Sequence, residues 1–543
     1  NTEDMFGATG IYSYPNVTTK GLADKPCSIE MVLPDGTEGF AETCGISIHG
    51  NASRQPEKNP KHGFKLKFKG ELGAGSLKYR LFPDSPATEF DDLILRADFG
   101  VSWRHWSDVN GQVNGSFQRL RASRFRDAWM KDAAREMGVT ASHTRFCHLF
   151  INGLYWGTYD FTEQPKAQFA ANTYGGTTGD YDVYEQGSAT GGYVEGTPPG
   201  GSVATYNVFQ KMTALPNATG AASYDAFKQY LDIADYIDYV FLHFFVGHRD
   251  WGAAKNWYAI RPRAGGTFAT EGKYKFVPWD GECVLLNSDN SDNRIPDSGG
   301  GNSNEGQTAA GDLHAKLKGS AQYRLDFADR VHKHMIAPDG ALTAEANCAR
   351  WLKWQSLLDN PIVAESARWG DYRRDVHPWD ATAGASFQLY TRENHWMTEN
   401  ARMVNDYFPG RRANMLSWLR TAGLYPAIDA PEFRQDNVGG TILGSARVGA
   451  GFVLAMNNPG AGTIYFTTNG VDPRVEHTSL IASSALIYTA PLTLNGALTL
   501  KARVLNGSTW SALNEATFTV GEFGVPLRIT EIMYNPPGGI QYE

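Results

Sequence analysis

The stretch His248-Arg249-Asp250 is followed by Asn256, with five residues between it and Asp250, and then by Val277-Pro-Trp-Asp280-Gly-Glu282. Phosphoryl transfer from a nucleotide asks for such a set. One carboxylate stands beside the acceptor hydroxyl, while a carboxamide and a second carboxylate hold a divalent cation between phosphate oxygens. Mg²⁺ takes hard oxygen ligands and keeps several waters, so few side chains are enough. Residue type alone leaves plainer roles open. Asp250 also reads as a turn carboxylate paired with Arg249, Asn256 as the first residue of a strand, and Asp280 as a turn residue before Gly281. His49 and His248 read as core histidines.

Rigid elements must bring these residues together. Asp232 to Gly247 is apolar apart from residues such as Asp238 and His243 and predicts a buried helix ending just before His248. Trp257-Tyr-Ala-Ile-Arg261 and Lys273-Tyr-Lys-Phe-Val-Pro-Trp279 predict paired strands, with Asp280 at the end of the second. Upstream, Cys27 to Leu33, Gly45 to His49 and Phe64 to Lys69 alternate with period two, as half-buried strands do. Asp91 to Arg96 is a further strand. Ser123 to Met137 predicts an amphipathic helix with Phe125, Trp129 and Met130 on one side and Gly138 at its end. Arg145 to Gly153 predicts a strand entering an Asn152-Gly153 hairpin turn, and Tyr155 to Glu163 the return. Residues 174–203 read as a loop without the Gly-Lys-Ser/Thr ending of a P-loop. Residues 287–311 form a polar loop directly after the candidate carboxylates. Residues 312–423 read as mostly helical. There Trp351, Trp354, Trp369 and Trp379 suit helix packing better than a carbohydrate groove shared with Trp103 and Trp106.

At 543 residues the chain exceeds one core, so two to four domains are expected. A net charge of -8 without clustered Lys and Arg excludes a nucleic-acid footprint. No apolar run reaches the roughly 18 residues of a membrane span. Both ends read as trimmed from a longer protein. The five cysteines include no Cys-x-x-Cys pair, which argues against zinc. Cys27 and Cys44 lie in adjacent strand-like segments and read either as one disulfide or as two small buried residues. A boundary falls near Tyr425 to Pro431, and the short strands beyond it, spaced roughly every 8–12 residues, predict a β-sandwich. A second boundary falls at Gly521 to Pro526.

Several ordered motifs between about residues 5 and 425 resemble the CotH kinase family, the spore-coat-type atypical protein kinases, in its larger secreted bacterial form. They are Gly45-Ile-Ser-Ile-His-Gly-Asn-Ala-Ser-Arg54, Lys61-His-Gly-Phe-Lys65-Leu-Lys67-Phe, Phe150 to Glu163, Gly247 to Trp251 with Asn256-Trp-Tyr, Phe276 to Glu282, and Leu313 to Arg330. The resemblance implies an α+β, atypical protein-kinase-like domain over 1–425, strand-rich over about 1–170 and helix-rich over about 205–425. It implies ATP-dependent phosphorylation of Ser or Thr on a protein substrate, with Mg²⁺ or Mn²⁺. On that resemblance Asp250 is the catalytic carboxylate, Asn256 a metal or phosphate ligand, and Asp280 the main metal ligand with Glu282 beside it. Arg54, Lys61 and Lys65 fall in the segment that covers the phosphates, and Glu163 is the acid that pairs with one of those bases. Residues 430–521 resemble the chitobiase/β-hexosaminidase C-terminal domain, a small immunoglobulin-like all-β sandwich. Residues 526–543 resemble the start of a lamin-tail-type domain. Such appendages imply an extracellular or cell-surface protein. The competing reading is a non-catalytic surface, adhesion or carbohydrate-associated binding protein on a kinase-like scaffold.

Overall fold

Alternating apolar residues build the larger of the two sheets that frame the candidate residues. The computed structural model describes residues 1–21, 24–105, 118–185, 193–195, 208–251, 256–263, 272–287, 290–296, 309–376 and 388–521. The chain divides into two compact units, one of residues 1–335 and 341–425, the other of residues 336–340 and 426–543.

In the first unit six strands run antiparallel in the order Lys25–Val32, Glu38–His49, Gly63–Lys67, Asp92–Arg96, Leu154–Thr162 and Thr144–Ile151. Phe64 and Leu66, Leu93 and Leu95, and Tyr159 and Phe161 repeat at period two and enter one core. The expected hairpin is present, with Asn152 and Gly153 at φ 51° and 80°, both left-handed as a tight two-residue turn requires. A second sheet runs Tyr193–Glu195, Tyr181–Glu185, Trp257–Pro262, Lys275–Pro278, again antiparallel. The helix Ile233–Phe245 is capped by the Asp232 side chain, which accepts from Asp235 N.

The helix Arg126–Met137 departs from its expected form. It starts later than Ser123 because Arg124 holds a left-handed backbone (φ 76°), with its guanidinium tied to the carbonyls of Ala97 and Thr158. It is also not amphipathic in its setting, since Arg126, Asp127, Lys131 and Asp132 are buried along with Trp129 and Met130. Burying a charge is tolerable only when it is paired, and these are. Asp132 accepts from Trp354 Nε1 at 3.0 Å, Arg126 donates to Val284 O at 2.9 Å and pairs with Glu399, and Lys131 donates to Thr162 Oγ1 at 2.9 Å. The helix packs on Ala344–Leu358 and Ile233–Phe245.

Trp351 is buried among the helices, Trp354 and Trp369 are buried where helices meet the strands at Phe146 and Trp156, and Trp103 stacks on Tyr390, which is packing rather than an open groove. Trp106 and Trp379 lie outside the described residues. Glu365, on the helix Pro361–Trp369, ties that helix to the six-stranded sheet. Its carboxylate takes Lys61 Nζ at 2.9 Å, Arg104 Nη1 at 2.8 Å and Thr158 N at 2.8 Å.

The second unit has two sheets. One runs Ile442–Leu443, Glu432–Gln435, Phe452–Asn457, Leu492–Leu494. The other runs Ala446–Val448, Asn514–Val520, Leu498–Asn506, Thr463–Thr467, Leu486–Ile487. Phe433, Leu454 and Met456 of the first share a core with Leu500, Val504 and Phe518 of the second, so the pair is a sandwich. The lamin-tail-like segment 526–543 lies outside the described residues.

Burial raises the Glu365 carboxyl, but Lys61, Arg124 and Arg104 outweigh it and hold it at about 2, below the ordinary 4.5. A carboxyl depressed on folding contributes stability that is complete above the unfolded value and is lost as pH falls through the folded one. Glu365→Gln leaves Lys61 and Arg104 buried without a counter-charge, at an expected cost of about 3–5 kcal/mol. Urea denaturation at pH 7 should show a lowered midpoint, with the gap from wild type narrowing as pH falls from about 4.5 toward 2. An unchanged midpoint at pH 7 would mean that the cluster stabilises nothing.

Candidate active site

The turn after Ile233–Phe245 is stitched to the segment after Lys275–Pro278. Arg249 N donates to Cys283 O at 3.0 Å, and Leu285 N to Val246 O at 2.8 Å. In the neighbouring hairpin Trp257 faces Pro278, so Asn256 and Asp280 leave its open end together. Asn256 Nδ2 donates to Asp250 O at 2.7 Å and to Asp250 Oδ2 at 3.1 Å. Both amide protons are thus directed at Asp250, and Oδ1 is the atom with which Asn256 can coordinate a cation. Asn256 and Asp280 both hold left-handed backbone, at φ 71° and 57°. Asn and Asp enter this region more readily than other side chains, and such conformations collect at functional sites. His248 is fully buried here. Burial pushes it down to about 4, against the pull of Asp250, Asp280 and Asp127, so it is a neutral core histidine at pH 7.

A buried cation, Arg96, organises the acids. It closes the strand Asp92–Arg96, and its Nη2 reaches both Asp280 Oδ1 and Glu282 Oε1, the latter at 2.6 Å. Its Nε lies 3.6 Å from Asp127 Oδ2. Burial lowers the guanidinium, and Asp127, Asp280, Glu282 and Asp160 more than reverse this, so it stays charged. Asp127 is bound in turn by Lys131 Nζ at 2.7 Å and by Gly281 N–H at 2.7 Å. Burial raises Asp127, but Lys131, Arg96 and that N–H hold it well below the usual carboxylate range. Asp160, directly opposite Arg96 in the ladder, is lifted by burial to about 7.

Two glycines let these groups close up. A Cβ on Gly281 would stand 2.6 Å from Met130 Sδ, so the Asp280-Gly281-Glu282 turn lies flat on the helix Arg126–Met137. A Cβ on Gly100 would stand 2.9 Å from Cys283 Sγ and 3.2 Å from Glu282 Oε2. Without one, Gly100 N–H reaches Glu282 Oε2 at 2.5 Å, and Phe99 N–H reaches it at 2.8 Å.

The structure thus brings together Asp250, Asn256, Asp280 and Glu282, but not as four equal ligands. Both oxygens of Glu282 are engaged, one by Arg96 and one by two backbone N–H groups, so it anchors Arg96 and the 99–100 turn. Asp280 keeps an accessible carboxylate, 36% exposed. The bases expected over the phosphates are dispersed. Arg54 is buried and donates to the carbonyls of Ile48, Asn16 and Thr19. Lys61 is the fully buried partner of Glu365. Lys65 is partly exposed, bound to Asp92 Oδ2 at 2.6 Å and Gln164 Oε1 at 2.9 Å. Glu163 meets His143 Nδ1 at 3.1 Å rather than one of these bases, because the Lys61 and Lys65 ammonium groups are paired with Glu365 and Asp92.

A family model described as CotH kinase protein matches residues 46–405, more than half of the chain. The chain belongs to the CotH kinase protein family. Within this CotH domain the match spans Arg96, Asp250, Asn256 and Asp280 alike. A second model, described as Fn3 associated, matches residues 453–516, inside the sandwich. No curated protein matches the chain.

Sequence reasoning passed over Arg96, Asp127 and Lys131 of the CotH domain. Arg96 ends an apolar strand, where a solvated charge is the ordinary expectation. Asp127 and Lys131 stand at i and i+4, which usually marks an exposed ion pair. One signal was available, since Trp129 and Met130 interleave with them and leave the helix no clearly polar face.

Arg96→Met leaves Asp127, Asp280 and Glu282 facing one another without their shared cation, at an expected cost of about 3–5 kcal/mol. Arg96→Lys should lose less, because an ammonium restores the charge but not the span of the guanidinium. Thermal denaturation ranks the two variants, and equal midpoints for wild type and Arg96→Met would remove Arg96 from its organising place.

Proposed function

We propose that this CotH-family chain is an ATP-dependent protein kinase, passing the γ-phosphoryl group to a Ser or Thr hydroxyl of a protein substrate with Mg²⁺ or Mn²⁺. One observation carries the reading: the Asn256–Asp250 pair and the accessible Asp280 carboxylate leave adjoining turns together, with Arg96 behind them. The donors Asn256 Oδ1 and Asp280 are both oxygen, with no thiolate or imidazole between them, and this pair suits Mg²⁺ or Mn²⁺. Asp280 and Asn256 would hold the cation, which when bound supplies positive charge to the phosphates as the transferred group departs. Asp250 orients the acceptor hydroxyl and accepts its proton. The Asn256 amide protons hold Asp250 in place for this, and Arg96 pairs with Asp280 from the protein side. Lys65, partly exposed at the sheet, is the base best suited to meet phosphate. An appended Fn3-associated domain fits action at or outside the cell surface.

The competing reading is a kinase-like scaffold that binds surface partners without catalysis. It draws on the same arginine, since Arg96 already neutralises Asp280 and Glu282 in the way a metal would.

Calorimetric titration of ATP, with and without Mn²⁺ or Mg²⁺, separates the two. The kinase reading expects metal-dependent binding that falls about tenfold or more, at least 1.4 kcal/mol, in Asp280→Asn. It expects Asp250→Asn to bind ATP nearly as well as wild type but to transfer phosphate about 10²–10⁴-fold more slowly, followed as γ-phosphate incorporation into protein. Wild type that binds no ATP under either metal would sink the kinase reading and leave the scaffold.

A further inference from the structure

Cys27 and Cys44 occupy directly opposed positions of the antiparallel pair Lys25–Val32 and Glu38–His49. Their sulfurs lie 3.5 Å apart, and both are free thiols. Facing residues in such a pair have Cβ atoms about 4.5–5.5 Å apart, at the edge of what a disulfide spans. The sulfurs are already in van der Waals contact and need to close to about 2.0 Å, which side-chain rotation and a small strand adjustment supply. Cys44 is fully buried, whereas Cys27 is half-buried and lines a cavity of about 1720 Å³ against this face of the sheet, together with Ile29, Met31, Ile46 and Leu149. One sulfur is therefore open to a small reagent and the other is held behind it. Cys147 lies on Thr144–Ile151 at the other edge of the sheet, and Cys348 donates to Val404 O at 3.6 Å.

We propose that Cys27 and Cys44 are an oxidisable pair that closes to a cross-strand disulfide when a low-molecular-weight disulfide reaches Cys27. The Cys27 thiolate attacks one sulfur of the oxidant, forming a mixed disulfide and expelling a thiolate. Cys44 Sγ then attacks Cys27 Sγ, its proton passing to the second departing thiolate. Two protein thiols lose two electrons, and one small disulfide is reduced to two thiols. The product fixes the edge strand Lys25–Val32 to its neighbour, and in an oxidising compartment it is the expected state.

The full chain, incubated with oxidised glutathione or with dithiothreitol, is then denatured under acid quench and titrated for thiols. The count should drop by two from the five present. The mass should fall by two hydrogens, and peptide mapping should join the peptides carrying Cys27 and Cys44. Oxidation should raise the thermal midpoint of wild type and leave Cys44→Ala unmoved. Five titrating thiols after oxidation, a stable glutathione adduct on Cys27, or a bridge through Cys147 would each overturn the proposal.

Discussion

One guanidinium holds the candidate site together. Arg96 belongs to the six-stranded sheet, Asp127 to a helix, and Asp280 and Glu282 to the turn that follows the second sheet. Arg96 contacts all three carboxylates from within the protein. A delocalised fork of donors suits this work, since an ammonium is a point charge and cannot span carboxylates on separate elements. Charges brought out of water are costly until they are satisfied on several sides. The second set of contacts therefore matters as much as the first: Lys131 and Gly281 N–H on Asp127, and Phe99 and Gly100 N–H on Glu282. The turn that carries Asp280 is fixed because each neighbour is itself fixed.

The same device recurs through the first unit. Glu365 collects Lys61 and Arg104, and Glu399 collects Arg121, Arg126 and Arg402. In each case one fully buried acid answers two or three bases from segments far apart in the chain. Apolar packing is non-directional and tolerates sliding, whereas these clusters admit few alternative registers. They also absorb bases that a sequence reading assigns to ligand, because a lysine drawn into such a cluster has no donors left for phosphate.

Local pattern made much of the architecture legible. The hairpin at Asn152-Gly153, the helix before His248, the strands around Asp280 and the sandwich beyond Pro431 follow from alternation, turn chemistry and composition. The grouping of Asp250, Asn256 and Asp280 was legible as ordered motifs. Lys61, Arg54 and Glu163 were harder, because the partners that decide their roles lie on other elements. Glu365 stands 304 residues from Lys61, and no spacing rule reaches that far. Arg96 was hidden for the opposite reason. Its charge is conspicuous, but a strand-end arginine is ordinarily solvated, and its burial follows from the assembled fold rather than from its neighbours in sequence.

The helix Arg126–Met137 is enclosed on nearly every side, by helices, by the sheet through Thr162, and by the Asp280 turn lying over Met130. Few small fluctuations can expose its amide protons to water. Their exchange should therefore follow opening of the whole unit rather than local fraying. Because Asp127 receives Gly281 N–H, the turn bearing Asp280 is tethered to the part of the molecule slowest to open. The Asn256 side leaves a hairpin end and is held to Asp250 through the Asn256 amide. The aspartate of the Asp280 turn is thus the stationary jaw of the site.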